Sequence, residues 1–360
     1  MGSNRRYKIV VSDFHLGFGL HDADGERNLL EDFFCDLQFV ELLQYYSKGD
    51  YAKAEVELVL NGDFLNHLHA HPDEPFADSL SERVSLERTE KIIAGHSAVF
   101  AALKEFLAAS NHTMIYLMGN HDLGVAWPKV QQLLKDQIGN KLRIELDPYQ
   151  TDGIHIEHGN RFSSDSRLDT EDLFVTRGQP EPVLKMPWGC FFVIHFINRI
   201  RRERPYVGRI YPFNLYLRWA LFHDTRFALR TIYQMLAYFL KMNFIRDPRR
   251  NFRLRDTWKI AGSYQFPERL DREAKKILME HKEIKVVLLA HTHQALYRQF
   301  ALGKEYLNSG TWDELISLDV ASMGKSHRLT FVEVAIEGNT VRPALREWKG
   351  AYREVEEVMF

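Results

Sequence analysis

Five short polar clusters in this chain combine aspartate, asparagine and histidine, the side chains that bind first-row divalent metals. In chain order they are Asp13-Phe14-His15, Gly62-Asp63, Gly119-Asn120-His121-Asp122, His158-Gly159 and His291-Thr292-His293. Carboxylate oxygens and imidazole nitrogens together suit Mn, Fe or Zn, whereas an all-oxygen set would suit Mg or Ca. The residue types therefore predict a mixed-ligand metal site.

Each cluster directly follows an apolar run that is typical of a buried strand. These runs are residues 7–12, 56–61, 113–118, 153–157 and 285–290. Two further strands are predicted at 304–307 and 329–335, and amphipathic helices at 28–46 and 82–109. Because loops after the carboxyl ends of strands converge at one edge of an α/β sheet, we expect the five clusters to meet in space.

Seven side chains are predicted to hold two divalent ions, with the Asp63 carboxylate bridging them. They are Asp13, His15, Asp63, Asn120, His158, His291 and His293. If the segments are extended, residues i and i+2 of the Asp-x-His and His-x-His motifs face the same side. The glycines beside Asp63, Asn120 and His158 are expected to make room for these ligands.

The predicted site is suited to phosphate chemistry. Two divalent ions outweigh two aspartates and leave a net positive site, which attracts a phosphoryl group. Ions about 3.5–4 Å apart can activate a shared water for in-line hydrolysis; we favour Mn. His121, which coordination does not require, is predicted to stabilise the transition state or protonate the leaving oxygen, with Asp122 fixing its tautomer.

At these residues the sequence resembles the calcineurin-like metallophosphoesterase superfamily, whose pattern is DxH, GD, GNH followed by an acidic residue, a lone His and GHxH. The resemblance implies a two-sheet sandwich flanked by helices, a dinuclear centre and hydrolysis of a phosphate ester or pyrophosphate. Through SDFHLG, LNGDF, HGN and AHTH it is nearest to the bacterial branch of UDP-2,3-diacylglucosamine pyrophosphatase-like enzymes. The chain departs from that branch at three positions. Arg is usual where this chain has His121, an acidic residue is common where it has Asn66, and Gly is usual where it has Ala290.

Residues 162–280 lack the pattern of apolar strands followed by polar loops that characterises the rest of the chain. The sequence predicts a metallophosphoesterase core at 1–161 and 281–360, and a basic, aromatic, mainly helical insertion at 162–280 that acts as a cap or as a membrane- or substrate-binding unit. Between residues 183 and 255, thirteen arginines and two lysines face three acidic residues, a net charge of +12, although the whole chain carries only -2.

The composition of this insertion favours a lipid-linked substrate and an anionic membrane surface. Arg201, Arg202 and Arg204 are expected to contact that surface. Single-stranded nucleic acid is a less favoured partner. A plain helical cap or an oligomer contact stays open, and the sequence leaves the oligomeric state undecided.

A set of residues beside the ligands is predicted to contact substrate, namely Asn66, His67, Ser164, Asp165 and Arg167. The alternating histidines 67, 69 and 71 could instead hold another ion, although an active-site loop fits better. For the residues after His158, an ordinary turn is an equal alternative.

The composition is that of a globular protein, with 45% hydrophobic and 27% charged residues. Cys35 and Cys190 lie far apart in the sequence without CxxC-like spacing, so neither a disulfide framework nor a thiolate zinc site is indicated, and a reducing cytosol fits best. The apolar stretches at 188–200 and 213–222 are too short to span a bilayer. Alternative functions are a nuclease, a nucleotide or phosphoprotein phosphatase, and a catalytically silent scaffold that binds a partner.

Overall fold

The computed structural model describes residues 5–21, 24–69, 79–211, 213–244, 247–250, 269–318, 323–350 and 356–357. The strands, in chain order, are β1 (Arg6–Val11), β2 (Glu55–Asn61), β3 (His112–Leu117), β4 (Leu142–Glu145), β5 (Tyr149–Thr151), β6 (Ile154–Ile156), β7 (Phe174–Val175), β8 (Val183–Leu184), β9 (Ile210–Tyr211), β10 (Val286–Leu289), β11 (Leu296–Phe300), β12 (Lys304–Asn308), β13 (Leu315–Ser317), β14 (Gly324–Ser326), β15 (Thr330–Glu337), β16 (Thr340–Glu347) and β17 (Glu356–Glu357).

The helices follow the same chain order, and a π-helical turn joins α5 to α6. They are α1 (Asp36–Tyr45), α2 (Glu82–Gly95), α3 (Ser97–Ala108), α4 (Pro128–Ile138), α5 (Trp188–Phe192), α6 (Asn198–Glu203), α7 (Phe213–His223), α8 (Thr225–Phe244) and α9 (Leu270–Glu280). Within the described residues, no helix is both long enough and apolar enough to cross a membrane.

The strands form two main sheets. The first has the order β17-β16-β15-β1-β2-β3-β4, and the second has the order β11-β12-β10-β6-β5. Strands β1 to β4 run parallel, as do β6, β10 and β12. The polar clusters follow β1, β2, β3, β6 and β10, so each lies at the carboxyl end of a parallel strand.

Side-chain alternation explains how the sheets pack. In β1, Val10 faces the second sheet and packs with Ile156 and Leu288, whereas Ile9 and Val11 face α1, α3 and α4. On the outer face of the second sheet, α9 packs against Val287 and its neighbours. The predicted α/β fold, a two-sheet sandwich flanked by helices, is therefore confirmed, and α5 to α8 supply the large helical insertion.

Strands of the insertion take part in two small sheets, of which the second also contains β13 and β14 of the core. Strands β7 and β8 pair with each other, while β9 pairs with β13, which also pairs with β14. Helix α9, which falls inside the predicted insertion, packs on the second sheet of the core. The boundary at residue 280 stays a prediction.

The predicted strands match the observed ones to within a residue or two, but both predicted helices need correction. The helix expected at 28–46 begins only at Asp36, because the Glu31 carboxylate accepts hydrogen bonds from the backbone N–H of Gly17, Gly19 and Phe33 and fixes a turn there. The helix expected at 82–109 is divided at His96, where φ is -119° and ψ is 39°.

Candidate metal centre

Six of the seven predicted ligands come together at the carboxyl ends of the parallel strands, and Asn120 precedes His121, whose backbone N–H donates to Asp63 Oδ1. Three overlapping sets have possible ligand atoms within 4.8 Å of one another: Asp13, His15 and His293; Asp63, His158 and His291; and His15, Asp63 and His121. Because His15 and Asp63 each belong to two sets, this arrangement has the composition of two adjacent metal positions with shared ligands.

The shortest distances place Asp63 between the two positions. Its Oδ2 lies 3.2 Å from His158 Nε2 and 4.0 Å from His15 Nε2. On the far side of His15, the Nε2 atoms of His15 and His293 are 3.1 Å apart, and His293 Nε2 is 3.4 Å from Asp13 Oδ1. One carboxylate therefore faces both groups of imidazoles, as a bridging ligand requires.

Orphaned polar atoms support a cation at this place. Asn120 Oδ1 is buried and has no hydrogen-bond partner among the described residues, while the buried atoms Asp13 Oδ1 and His158 Nε2 contact only other predicted ligands, His293 at 3.4 Å and Asp63 at 3.2 Å. Buried polar atoms are normally satisfied, and a cation at this place would satisfy all three. His158 Nδ1 donates to the Asn61 carbonyl oxygen at 2.9 Å, which leaves Nε2 directed at the site. The donor set fits divalent ions.

The local electrostatics also favour positive charge. Burial alone would lower the pKa of His158, but the Asp63 and Asp13 carboxylates outweigh it and raise that pKa to about 10. Burial likewise opposes ionisation of Asp63, yet the surrounding imidazoles, His158 first, hold its pKa well below the usual range. A proton on His158 balances these carboxylates in the ion-free protein, and metal binding would displace it.

The backbone is strained at the ligands. Among the described residues, seven non-glycine residues have positive φ, and five of them are predicted ligands: Asp13 (53°), His15 (49°), Asp63 (52°), His291 (69°) and His293 (59°). Such a conformation costs a non-glycine residue about 1–2 kcal/mol and marks functional sites when it recurs. The expectation of extended segments is therefore wrong: left-handed turns, not alternation, direct both side chains of each motif to the centre.

Two glycines make room for the ligands, as expected. A Cβ on Gly62, whose φ is +79°, would overlap the His158 ring, and a Cβ on Gly119 would overlap Asp63 Oδ1. Since Gly119 has no left-handed backbone, it is required for space alone.

Asp122 has a different role from the predicted one. Its Oδ2 accepts hydrogen bonds from the Tyr116 hydroxyl at 2.8 Å and the Phe64 N–H at 3.1 Å, and its Oδ1 accepts from the Gly119 N–H at 2.6 Å. Burial and the nearby Asp63 raise the pKa of Asp122 to about 7. Asp122 thus stabilises the loop that carries Asn120. The prediction that it fixes the tautomer of His121 is wrong.

Asn66 faces His121 instead. Its Oδ1 accepts hydrogen bonds from the backbone N–H of Leu68 at 3.2 Å and of His69 at 3.1 Å, which identifies the oxygen end of this amide. His121 Nδ1 lies 3.3 Å from the same oxygen and must therefore donate to it. Burial lowers the pKa of His121 to about 4. Nε2 is then the nitrogen that is available to exchange a proton.

The other predicted substrate contacts have different outcomes. The prediction for His67 is wrong, because its ring is buried with Nε2 3.0 Å from Thr89 Oγ1 and Nδ1 accepting from the Gly124 N–H at 3.1 Å. His67 and His69 join none of the metal-compatible sets found in the described part of the chain, and His71 lies outside the described residues.

Beyond His158, one residue that contacts a predicted ligand was missed by sequence reasoning. Ser163 Oγ lies 2.9 Å from His291 Nε2, whereas its neighbour Ser164 is exposed. Arg167 is exposed and donates to a backbone carbonyl of its own loop, and burial raises the pKa of Asp165. No sequence pattern separates Ser163 from Ser164, and substrate contact by Ser164, Asp165 and Arg167 stays a prediction.

Comparison with known proteins gives only distant likenesses. No family model and no curated protein matches the chain. Among solved structures, a dimetal phosphatase from Danio rerio is 10% identical over 98% of this chain and 98% of its own, with a TM-score of 0.38. Vps29 from Cryptosporidium parvum is 13% identical over 99% of this chain and 98% of its own, with a TM-score of 0.33. A predicted phosphoesterase from Streptococcus pneumoniae is 11% identical over 99% and 98%, with a TM-score of 0.32. These TM-scores are too low to carry an argument about function.

Proposed function

We propose that this chain is a dinuclear metal-dependent hydrolase of a phosphate ester or pyrophosphate. The observation that carries the proposal is the position of Asp63, whose carboxylate lies between two groups of buried histidines. Asp13, His15, Asp63 and His293 would hold one ion, and Asp63, Asn120, His158 and His291 the other. Such ions supply Lewis acidity, which lowers the pKa of water and polarises a phosphoryl oxygen.

The protein's own contribution centres on His121. Its backbone N–H donates to Asp63 Oδ1 at 2.6 Å, which ties it to the bridging carboxylate. With Nδ1 donating to Asn66, Nε2 faces the space where a phosphoryl group would bind. A bound anion favours the imidazolium, and that form donates its Nε2 proton to the leaving oxygen.

A substrate panel tests this proposal. The purified protein, loaded separately with Mn, Zn and Fe, is assayed on a nucleotide-linked lipid pyrophosphate, a phospholipid, a nucleotide, a phosphopeptide and single-stranded DNA. We expect metal-dependent turnover of the lipid-linked pyrophosphate to exceed the rest, and preference for DNA or phosphopeptide would reassign the substrate. Absence of turnover with every metal and substrate would support a silent scaffold instead.

A lipid-linked substrate is proposed because the insertion contacts the loops of the centre. Cys190 Sγ donates to the Asn120 carbonyl oxygen at 3.2 Å, and Asn198 Nδ2 donates to the Leu68 carbonyl oxygen at 2.8 Å. Its first helix carries a buried aromatic cluster in which the Trp188 and Phe192 rings stack at 4.9 Å. The insertion thus contacts the loop that carries Asn120, and we propose that the lipid part of the substrate lies along this side of the centre.

We propose an anionic membrane surface as the partner of the exposed face of α7 and α8. Six large side chains there, all more than half exposed, form what we call the apolar stripe: Trp219, Phe222, Leu229, Tyr233, Leu236 and Leu240. In α8 they recur at intervals of four, three and four residues, so they share one face. Exposed Arg226 lies beside them, as does Arg230, which is ion-paired with Glu203. A basic, aromatic helix face suits anionic lipid, whereas two copies of it would repel each other.

The predicted lipid contact through Arg201 is wrong. Arg201 is only 1% exposed and is paired with Asp32 inside the protein. Arg204 is exposed but forms an ion pair with Asp224 at 2.6 Å. The membrane proposal therefore depends on the apolar stripe and not on Arg201 or Arg204, and lipid contact by exposed Arg202 stays a prediction.

Vesicle sedimentation tests this surface. The triple variant Leu229→Gln/Leu236→Gln/Leu240→Gln should bind anionic vesicles roughly a hundredfold more weakly. Each leucine side chain that becomes partly buried in the bilayer contributes about 1 kcal/mol to binding. Hydrolysis of a small chromogenic ester should be unchanged. Leu302→Gln is the matched control, since Leu302 is 95% exposed outside the insertion. Unchanged sedimentation of the triple variant would refute the proposal, and a shift from dimer to monomer would assign the stripe to a second copy.

A further inference from the structure

A polar turn after β12 lies among the predicted ligands but contains none of them. Strand β12 runs parallel to β10, so its carboxyl end shares the edge of the second sheet at which the His-x-His motif follows β10. The turn has the sequence Asn-Ser-Gly-Thr, and we call residues 308–311 the β12 turn. The side chains of Asn308, Ser309 and Thr311 are all buried. Their donors and acceptors therefore need partners within the protein.

Asn308 contacts the turn that carries the His-x-His motif. Its Oδ1 accepts a hydrogen bond from the Gly310 N–H at 2.9 Å, which identifies the oxygen end of the amide. Its Nδ2 therefore donates to the Ala290 carbonyl oxygen at 2.8 Å. The Thr292 N–H donates to the same carbonyl at 2.8 Å, and His291 between them has a φ of 69°. This is a γ-turn with positive φ, which is a rare and strained conformation.

Thr311 contacts the turn that carries the Asp-x-His motif. Its Oγ1 accepts from the Asp313 N–H at 3.0 Å, so its hydroxyl proton is free to donate to the Asp13 carbonyl oxygen, 2.6 Å away. Strand β1 ends before this residue, and the positive φ of Asp13 turns the chain out of the strand direction. The Thr311 hydroxyl thus supplies a donor for a buried carbonyl beyond the end of the strand, where a missing partner would be costly.

The β12 turn also connects the two main sheets at the centre. Ser12 Oγ donates to the Gly310 carbonyl oxygen at 3.0 Å and accepts from Ser309 Oγ at 2.6 Å. Beside this contact, the His291 N–H donates to Asp13 Oδ2 at 3.2 Å. The Asp-x-His motif follows a strand of the first sheet and the His-x-His motif a strand of the second. The β12 turn therefore contacts one ligand-bearing turn from each sheet.

We infer that Thr311 and Asn308 are positioning residues of the metal centre, which hold the left-handed turns that direct Asp13 and His291 toward it. A non-glycine residue keeps a positive φ only where its surroundings impose that conformation. These two side chains supply that restraint before any ion binds. The consequence for metal binding rests on the two-ion centre of the proposed function, whereas the conformation of the turns does not.

Thr311→Val tests the inference, and the chain offers a closely matched control. Thr330 is also buried, and its Oγ1 also donates to a backbone carbonyl oxygen at 2.6 Å, that of Ser309. Thr330→Val therefore removes a hydrogen bond of the same length from the same turn without touching a ligand-bearing turn. Thr311→Ser keeps the hydroxyl and is the rescue variant.

The first measurement is amide hydrogen exchange in the metal-free proteins. The N–H groups of Asp13, His15 and His291 are all hydrogen-bonded within the centre. In Thr311→Val they should exchange about tenfold faster, because the buried carbonyl of the first turn loses its donor. The amides of β10 are the internal reference and should keep their wild-type rates. Thr330→Val and the serine variant should match the wild type at all three positions.

The second measurement is a titration with Co²⁺ alone, followed by its visible absorption, which reports the coordination geometry. We expect the wild type to bind two ions. Thr311→Val should weaken binding about 10- to 100-fold at the position that includes Asp13, as is typical when a group that orients a ligand is lost, and much less at the other. Asn308→Leu should weaken both positions, because the turn that Asn308 contacts carries a ligand for each. Thr330→Val should bind like the wild type, and Thr311→Ser should recover most of the affinity.

The outcomes decide the inference separately from the proposed function. Unchanged exchange in Thr311→Val, or equal acceleration in Thr330→Val, would overturn it, as would the same Co²⁺ affinity in both variants. If Thr311→Val fails to fold, Asn308→Leu decides through the exchange rate of the Thr292 amide, which should rise about tenfold. If the wild type binds no Co²⁺, the two-ion centre is wrong and the exchange rates alone decide. If it binds two ions but hydrolyses no phosphoester, only the proposed catalysis fails.

Discussion

Replacing His96 by Gln should remove a pH-dependent part of the stability of the core. His96 is buried between α2 and α3, with Nδ1 2.9 Å from Asp36 Oδ1 and Nε2 3.5 Å from Glu31 Oε2. The Phe33 ring packs against it. Burial alone would lower the pKa of His96, but the two carboxylates raise it to about 9.

The magnitude follows from proton linkage. The unfolded chain has a histidine pKa of about 6.5, so the native state holds a proton that the unfolded state releases. Stabilisation is then complete below pH 6.5 and is lost as the pH rises through 9. A difference of about 2.5 units at about 1.4 kcal/mol per unit gives about 3 kcal/mol.

Urea denaturation of wild-type and His96→Gln proteins, repeated between pH 6 and pH 10, measures this effect. The difference between their free energies of unfolding should shrink by about 3 kcal/mol across the range. His112→Gln is the control: burial lowers the pKa of His112, so its contribution is lost only as the pH falls, and its difference should stay flat above neutral pH. A constant difference for His96→Gln would refute this account.

Three further predictions concern the centre itself. Asp63→Asn should reduce bound metal at both positions, while His121→Ala should lower turnover about 10²- to 10⁴-fold with metal content retained; elemental analysis showing equal metal loss in both variants would contradict the assigned roles. Gly119→Ala should displace Asp63 and lower metal occupancy while the circular dichroism spectrum stays native, because the added Cβ would overlap the Asp63 carboxylate and backbone N, whereas Gly119 itself has no left-handed backbone; full occupancy would show that the loop moves to accept the methyl group. Removing metal with a chelator should lower Tm, and restoring it at a hundred times its dissociation constant should return about 2.7 kcal/mol of stability; an unchanged Tm would argue that no ion binds the native state.

The sequence predicted the strands and the convergence of the ligands because both follow from local patterns. Runs such as Val286–Leu289 are apolar throughout, and their carboxyl ends must share an edge once the strands are parallel. The spacing of Asp13 and His15 indicated that both side chains face one centre, although the turn that achieves it is left-handed.

The errors came from contacts between residues distant in the sequence. The turn around Glu31 replaces a helix because its carboxylate collects backbone donors that the local pattern does not reveal. Asp122 adjoins His121 in sequence, yet the fold brings the Phe64 N–H to its carboxylate. Arg201 looked like one surface arginine among thirteen, and only its partner Asp32 explains why it is buried.

The left-handed backbone at the ligands means that the metal-binding conformation lowers the stability of the loops that carry it. Glycine at any of these positions would relieve the conformation while deleting a metal-binding group, so directed evolution for thermal resistance alone would tend to erase the chemistry. Selection that requires turnover would have to find its gains elsewhere, in the sheets and helices behind the loops.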